Sequence, residues 1–226
     1  MENLAIVLFL SYLAGSIPTS IIATKLAKAG DIRTFGSGNA GGTNVLRMLG
    51  WKIGVMVIVF DLLKGAAASY YIPQIFWHPN PLPFNNGTPF QDYTVVQIMC
   101  GISAVLGHIW TLFAGFKGGK GVATGAGMVL GLAPVEFIVA IGVFAIVFIA
   151  WRYVSLGSIT AAMAIPLTMV VRENIFNVNI QGYGTLVYFA GGVSLLILYT
   201  HRENVKRLLE GTESKLTSFH GSKRTP

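Results

Sequence analysis

Apolar runs of bilayer length, repeated along almost the whole chain, constrain the fold more than any other feature. A membrane-spanning helix needs about 20 predominantly apolar residues. Such runs extend from Leu4 to Ala23, Ile53 to Ile72, Thr94 to Leu112, Tyr153 to Val171 and Tyr183 to Thr200. With 53% hydrophobic and 11% charged residues among 226, the chain has too little polar surface for a soluble domain of its size. The expectation is an all-α polytopic membrane protein, a single integral-membrane domain over residues 1–226 with a basic tail at 201–226. Met1-Glu2-Asn3 lacks the basic start of a cleavable leader, so the first run is expected to stay as a span.

The stretch from Gly121 to Ala150 is too long for one ordinary span and short for two, with a break predicted at Ala133-Pro134-Val135-Glu136. Charge arbitrates. Lys25, Lys28, Arg33, Arg47 and Lys52 follow the first run, and Lys117 and Lys120 follow the third. Arg202, Lys206, Arg207, Lys215, Lys223 and Arg224 fill the tail, whereas residues 73–93 hold no Lys or Arg. Because basic loops stay on the cytoplasmic side, the N-terminus is predicted outside and the C-terminus cytoplasmic. An even number of crossings after Lys120 then makes 121–150 a hairpin, giving about seven transmembrane helices, or five if that stretch dips in without crossing.

Trp51, Trp110 and Trp151 fall at predicted inner span ends and Trp77 just past an outer one, as interfacial belts require. Gly121, Gly125, Gly127 and Gly131 form two small-x-x-x-small pairs suited to close helix packing. The lone Cys100 excludes an intrachain disulfide. A net charge of +7 in so apolar a chain reads as topology-setting loop charge, with no nucleic-acid partner implied.

Polar residues gather at the inner ends of the spans. In Gly115-Phe-Lys-Gly-Gly-Lys-Gly-Val-Ala-Thr124, Gly118, Gly119 and Gly121 would let backbone N–H groups face a phosphate. The following helix start would add its dipole, and Lys117 and Lys120 point charges. The same residues would also serve as an ordinary basic turn. The spacing fails the nucleotide-binding P-loop pattern, since Gly121 stands where Ser or Thr should follow Lys120. A second cluster, Gly36 to Arg47, offers Ser37, Asn39, Thr43 and Asn44 as small donors and Arg47 as a bidentate one. Its Gly36-x-Gly38-x-x-Gly41 follows a membrane span and no strand, so a dinucleotide fold is rejected; a polar turn capping the next helix is the alternative.

Ser155 and Ser158 share a helix face, as do His201 and Asn204, with packing and a solvated surface helix as the respective alternatives. Asp61 and Lys64, three residues apart within a span, read as a mutually neutralising pair, and His108 as a supporting residue.

In order along the chain, the sequence carries Gly36-Ser-Gly-Asn39, Gly42-Thr-Asn-Val45 with Arg47, Asp61-x-x-Lys-Gly65, Gly107-His108, Phe116 to Thr124, Arg152-Tyr-Val-Ser155 and His201-Arg-Glu-Asn204. This ordered set, covering essentially the whole chain, resembles the bacterial acyl-phosphate glycerol-3-phosphate acyltransferase family, the PlsY type. A longer outer loop at 77–92 and Gly42 in place of a common alanine are the departures.

The resemblance implies a seven-span enzyme of the bacterial inner membrane with its site facing the cytoplasm. Such an enzyme moves an acyl group from acyl phosphate to glycerol 3-phosphate, giving lysophosphatidic acid and phosphate, the first acylation of phospholipid synthesis. It also implies a surrounding of membrane lipid and no direct use of acyl-CoA or acyl carrier protein. Carried over, Ser37, Arg47, Lys120, Ser155, His201 and Asn204 would be catalytic. Asn39, Thr43, Asn44, Lys117, Gly118, Gly119 and Gly121 would bind substrate phosphate. Asp61, Lys64, His108 and Glu203 would support local structure.

No His is followed five positions later by Asp, among His78, His108, His201 and His220, which excludes the soluble His-Asp acyltransferase mechanism. Carboxylates and histidines lack ligand spacing, so neither metal nor cofactor is expected. A transporter of a phosphorylated solute is the rival reading, opposed by clusters that sit at one face and by the lack of an internal repeat.

Overall fold

The computed structural model describes residues 2–77 and 87–215. His78, His220, Lys223, Arg224 and most of the 77–92 loop therefore lie outside the described residues. All regular structure among those described is helical: α1 (Glu2–Ser16), α2 (Thr19–Leu26), α3 (Gly42–Leu49), α4 (Trp51–Tyr70), α5 (Gln74–Trp77), α6 (Asp92–Ile109), α7 (Val122–Leu132), α8 (Pro134–Trp151), α9 (Val154–Asn174), α10 (Tyr183–Thr200) and α11 (Arg202–Leu209). Helices are what hydrocarbon permits, because they satisfy every backbone polar group within one segment.

Six helical stretches are long and apolar enough to cross a bilayer: Glu2–Leu26, Trp51–Trp77, Asp92–Ala114, Pro134–Trp151, Val154–Asn174 and Tyr183–Thr200. The 121–150 stretch, predicted as a hairpin, divides into the 11-residue α7 and the 18-residue α8. Ala133 is the N-cap of α8 and Pro134 its first residue, where a missing N–H costs no helix bond. At about 1.5 Å per residue α7 spans about half of a hydrocarbon core about 30 Å thick. It is short because Pro134 disfavours helical geometry at the residue before it.

The chain groups into two compact units, residues 1–132 and 133–226, and each is described by itself. In the first, α1 packs on α6 and α4 on α7. The two glycine pairs between Gly121 and Gly131 serve two neighbours. Gly121 and Gly125 face Val105 of α6, whereas Gly127 and Gly131 lie against Leu62, Ala66 and Ser69 of α4. A Cβ on Gly127 would overlap the Leu62 carbonyl, so close approach fixes glycine there.

The first apolar run, read from sequence as one span, is broken at Ile17-Pro18 between α1 and α2. At the kink the Ile17 carbonyl accepts from Thr19 N–H at 3.0 Å and from Lys64, whose Nζ donates to it at 2.9 Å and lies 2.8 Å from Asp61 Oδ1. Thr19 Oγ1 donates to the same carboxylate oxygen at 2.6 Å. A buried ion pair in a span is tolerated when its remaining hydrogen-bonding capacity is filled, and the proline break supplies part of that.

In the second unit α8 and α9 form an antiparallel hairpin. Buried Glu136 in the first turn of α8 is ion-paired with Arg172 in the last turn of α9. Ser194 of α10 donates to the Ala162 carbonyl of α9 at 2.7 Å, tying the third span on.

Candidate functional site

In the first unit, the segment between α2 and α3 is built around one side chain. Asn44, 2% exposed, directs Nδ2 at the carbonyls of Ile32 (3.1 Å), Phe35 (2.8 Å) and Asn39 (3.1 Å), while its Oδ1 accepts from Ser37 N–H at 3.3 Å. Asn44 thus holds the loop that presents Ser37 and Asn39. Gly36 and Gly38, with φ of 56° and 69°, allow the chain to wrap about that amide. Ser20 of α2 donates to the Ala40 carbonyl at 2.8 Å, and Arg33 donates to the Ala114 carbonyl at 3.0 Å, joining this loop to the one after α6. Asp31 is the acidic partner. Hydrogen bonds from the Arg33 side chain and amide hold its carboxyl down at about 2.

The glycine loop is organised differently from a phosphate-cradling nest. Gly118 N–H donates to the Ile109 carbonyl at 3.0 Å and Gly119 N–H to the His108 carbonyl at 3.1 Å, so both amides close the end of α6. Their lack of side chains serves close approach. A Cβ on Gly118 would overlap the His108 carbonyl, and one on Gly119 would lie 2.9 Å from the Ala40 carbonyl. The amides of Lys117, Lys120 and Gly121 have no backbone acceptor among the described residues, and Gly121, at φ 76°, leads into α7. These amides and the helix start are what an anion could meet.

Lys117 and Lys120 on the glycine loop and Arg47 on α3 are exposed cations without an ion pair or hydrogen bond among the described residues. The hydroxyls of Ser37 and Thr43 are similarly exposed. Asn39 is half-buried, and its buried Oδ1 finds no partner. This part of the unit is therefore cationic, with small donors still unengaged. Asp61, Lys64 and His108 lie beneath it, buried, with His108 Nδ1 3.5 Å from Asp61 Oδ1.

In the second unit Ser155 and Asn204 are brought together by a carboxylate that the sequence reading missed. Glu213 Oε1 accepts from Ser155 Oγ at 2.6 Å and from Asn204 Nδ2 at 2.8 Å, and Oε2 accepts from Arg207 Nε at 2.7 Å. These three donors, Ser155 first, hold the Glu213 carboxyl down at about 2. Gly211, at φ 70°, turns the chain back after α11, and Thr212 N–H caps the Arg207 carbonyl at 2.8 Å. That glycine after a helix, two residues before an acid, was the available signal.

Glu203, expected to support local structure, is exposed and makes no polar contact among the described residues; Glu213 fills that part instead. Ser158 returns its hydroxyl to the Val154 carbonyl of its own helix at 2.9 Å. His201 Nδ1 lies 2.9 Å from the Ile197 carbonyl, which only a ring N–H can satisfy. In the neutral ring this assigns the proton to Nδ1 and leaves Nε2 basic.

These features define a multi-pass membrane protein with exposed cations and small donors on its first unit and a Ser155-Asn204-Arg207 group joined by Glu213 on its second. The family model for glycerol-3-phosphate acyltransferase matches residues 5–211, and the chain belongs to that family of membrane acyltransferases. It is 46% identical over 240 residues to the glycerol-3-phosphate acyltransferase of Chlorobium phaeobacteroides strain BS1, covering 98% of this chain and 99% of the relative. It is likewise 46% identical over 229 residues to that of Chlorobaculum tepidum, covering 93% and 95%. Among solved structures, it is similar to the integral membrane glycerol 3-phosphate acyltransferase PlsY (YgiH). Its glycerol 3-phosphate form matches at TM-score 0.66 and 36% identity, covering 94% of this chain and 95% of that one. The lysophosphatidic acid form matches at 0.65 and 35%, with the same coverage.

Proposed function

We propose that this protein transfers a fatty acyl group from acyl phosphate to glycerol 3-phosphate, giving lysophosphatidic acid and inorganic phosphate. The work is done at the cytoplasmic face of a bacterial inner membrane, with the N-terminus outside and the C-terminus inside. The observation that carries this reading is the meeting of the 36–44 and 115–121 loops at one end of the first unit, with unpaired Lys117 and Lys120 on the second loop and Arg47 on α3. Similarity to a protein crystallised in glycerol 3-phosphate and lysophosphatidic acid forms supports the acceptor and the product.

The chemistry requires modest machinery. An acyl phosphate is an activated mixed anhydride, so juxtaposition with the acceptor hydroxyl supplies most of what is needed. The hydroxyl oxygen attacks the acyl carbon, the bond from that carbon to the phosphate oxygen breaks, and phosphate leaves with the electron pair. The hydroxyl proton passes to the leaving phosphate.

Two phosphates oppose one another: each pair of like unit charges about 4 Å apart costs about 4 kcal/mol at an effective dielectric of about 20. Lys117, Lys120 and Arg47 offset that repulsion, with Ser37, Asn39 and Thr43 as orienting donors and Asn44 holding their loop. In the second unit Glu213 holds Ser155 and Asn204 in place, which leaves Asn204 its second N–H to donate and Ser155 its oxygen lone pairs to accept.

The test gives the purified protein in lipid palmitoyl phosphate or palmitoyl-CoA, each with glycerol 3-phosphate. Lysophosphatidic acid should form from the phosphate donor alone. Formation from the thioester alone overturns the donor assignment, and formation from neither overturns the activity.

A further inference from the structure

Under the glycine loop of the first unit is a hollow lined by Thr19, Ser20, Ala40, His108, Gly118 and Gly119, with Thr111 at its side. Its hydroxyls already have acceptors. Thr19 donates to Asp61 at 2.6 Å, Ser20 to the Ala40 carbonyl at 2.8 Å, and Thr111 to the Ser16 carbonyl. His108 differs. Its side chain is 7% exposed, its Nδ1 faces Asp61 Oδ1 at 3.5 Å, and its Nε2 lies where a Cβ on Gly119 would fall. Among the described residues Nε2 has no hydrogen-bond partner. A ring more than nine-tenths buried therefore ends in an unengaged nitrogen directly beneath the loop flanked by Lys117 and Lys120.

We propose that His108 Nε2 forms the floor of the phosphate site, donating to one oxygen of the anion that the loop holds. The proposal rests on the assignment of that loop to phosphate and deepens it. A carboxylate accepts only, so with Nδ1 turned to Asp61 a donating Nε2 requires a proton on both ring nitrogens. Asp61 of α4 faces the ring and Lys64 pairs with Asp61. Lys117 and Lys120 stand exposed on the loop, and α1 brings Tyr12, whose hydroxyl donates to the Trp110 carbonyl at 2.6 Å. The α1–α2 kink presents Ile17, Pro18, Thr19 and Ser20, which do not titrate, and α7 carries no ionisable side chain. Lys64 lies 2.8 Å from Asp61 and balances it. The imidazolium is then the charge this cluster adds under a bound dianion. One proton is taken from solvent as the anion docks, and docking weakens as pH rises.

Inorganic sulfate is the probe, because it stays a dianion through the neutral range and contributes no proton of its own. Its binding to the full-length protein in lipid nanodiscs is measured by calorimetry at several pH values, in buffers of different ionisation enthalpy. The wild type should take up close to one proton per sulfate at high pH and bind about tenfold more weakly per pH unit there. His108→Gln, which keeps a donor but gains no proton, should bind sulfate without uptake and with a flat pH profile, while His201→Gln should keep the wild-type behaviour.

Wild-type binding without proton uptake, or uptake lost in His201→Gln and kept in His108→Gln, overturns the assignment. If His108→Gln does not fold, nitrogen-15 spectra of wild-type histidines decide. A ring gaining its second proton on sulfate addition in a background with His78, His201 and His220 all replaced by Gln supports the proposal, and no such ring refutes it. Failure of the underlying reading is separable: sulfate binding indifferent to Lys120→Ala removes the phosphate loop itself.

Discussion

Replacing Asn44 by alanine should disable the donor loop while leaving the membrane helices assembled. Nδ2 has two hydrogens shared among three carbonyls, and Oδ1 accepts one amide, so truncation removes the equivalent of three hydrogen bonds. At about 1 kcal/mol net for each, the ordered loop loses about 3 kcal/mol, before any cost of leaving the Ile32 carbonyl unsatisfied. If substrate binding must restore that order, kcat/KM for glycerol 3-phosphate falls about a hundredfold, since about 1.4 kcal/mol is a factor of ten. Asn44→Asp should do no better, because an acceptor-only carboxylate would face three carbonyls.

The assay pairs steady-state kinetics with limited proteolysis at Arg33. The variant should be cleaved there far faster than wild type, yet keep its helical circular dichroism in detergent. Wild-type protection together with a hundredfold kinetic loss would contradict the loop-organising role and favour direct substrate contact. Wild-type kinetics would refute both.

Lys120→Ala should raise the KM for glycerol 3-phosphate or abolish turnover in a protein that still inserts and folds; unchanged kinetics in lipid would remove that lysine from the phosphate site. Glu213 has its carboxyl lowered from 4.5 to about 2, so its contribution is complete above about pH 4.5 and lost as pH falls through about 2. Protease protection of the 210–215 segment should decline over that window in wild type. In Glu213→Gln it should be weaker and independent of acid, whereas an identical acid profile in the two proteins would contradict the role given to the Glu213 carboxylate. Gly127→Leu drives a side chain into the Leu62 carbonyl and should cost about 1–3 kcal/mol or more, read as a lower thermal midpoint in detergent. An unchanged midpoint would mean that α4 and α7 do not pack as described.

The spans were legible because hydrophobic length and loop charge are local quantities, and Pro134 marked the α7–α8 break by its own chemistry. Pro18 carried the same signal inside the first apolar run, but continuous hydrophobicity outweighed it; the kink becomes intelligible only with Lys64 in place on the Ile17 carbonyl. The candidate site was legible as residue types in clusters, less so as roles. Asn44 read as a substrate donor, whereas the structure turns its amide inward. Gly118 and Gly119 read as amide donors to phosphate, whereas their N–H groups close α6. Which backbone groups remain for a ligand depends on long-range closure of helix ends, and spacing does not report it. Glu203 and Glu213 posed the same difficulty: both are acids near α11, and only the turn at Gly211 decides which one returns to Ser155.

The most direct test of acyl transfer from acyl phosphate is the fate of its bridging oxygen. Palmitoyl phosphate labelled there with a heavy oxygen isotope is turned over with glycerol 3-phosphate by the purified protein in lipid. Attack at the acyl carbon predicts the label in inorganic phosphate, formed in equal amount to unlabelled lysophosphatidic acid. Label retained in palmitate, or in the acyl ester, would place bond cleavage on the phosphorus side and contradict the account.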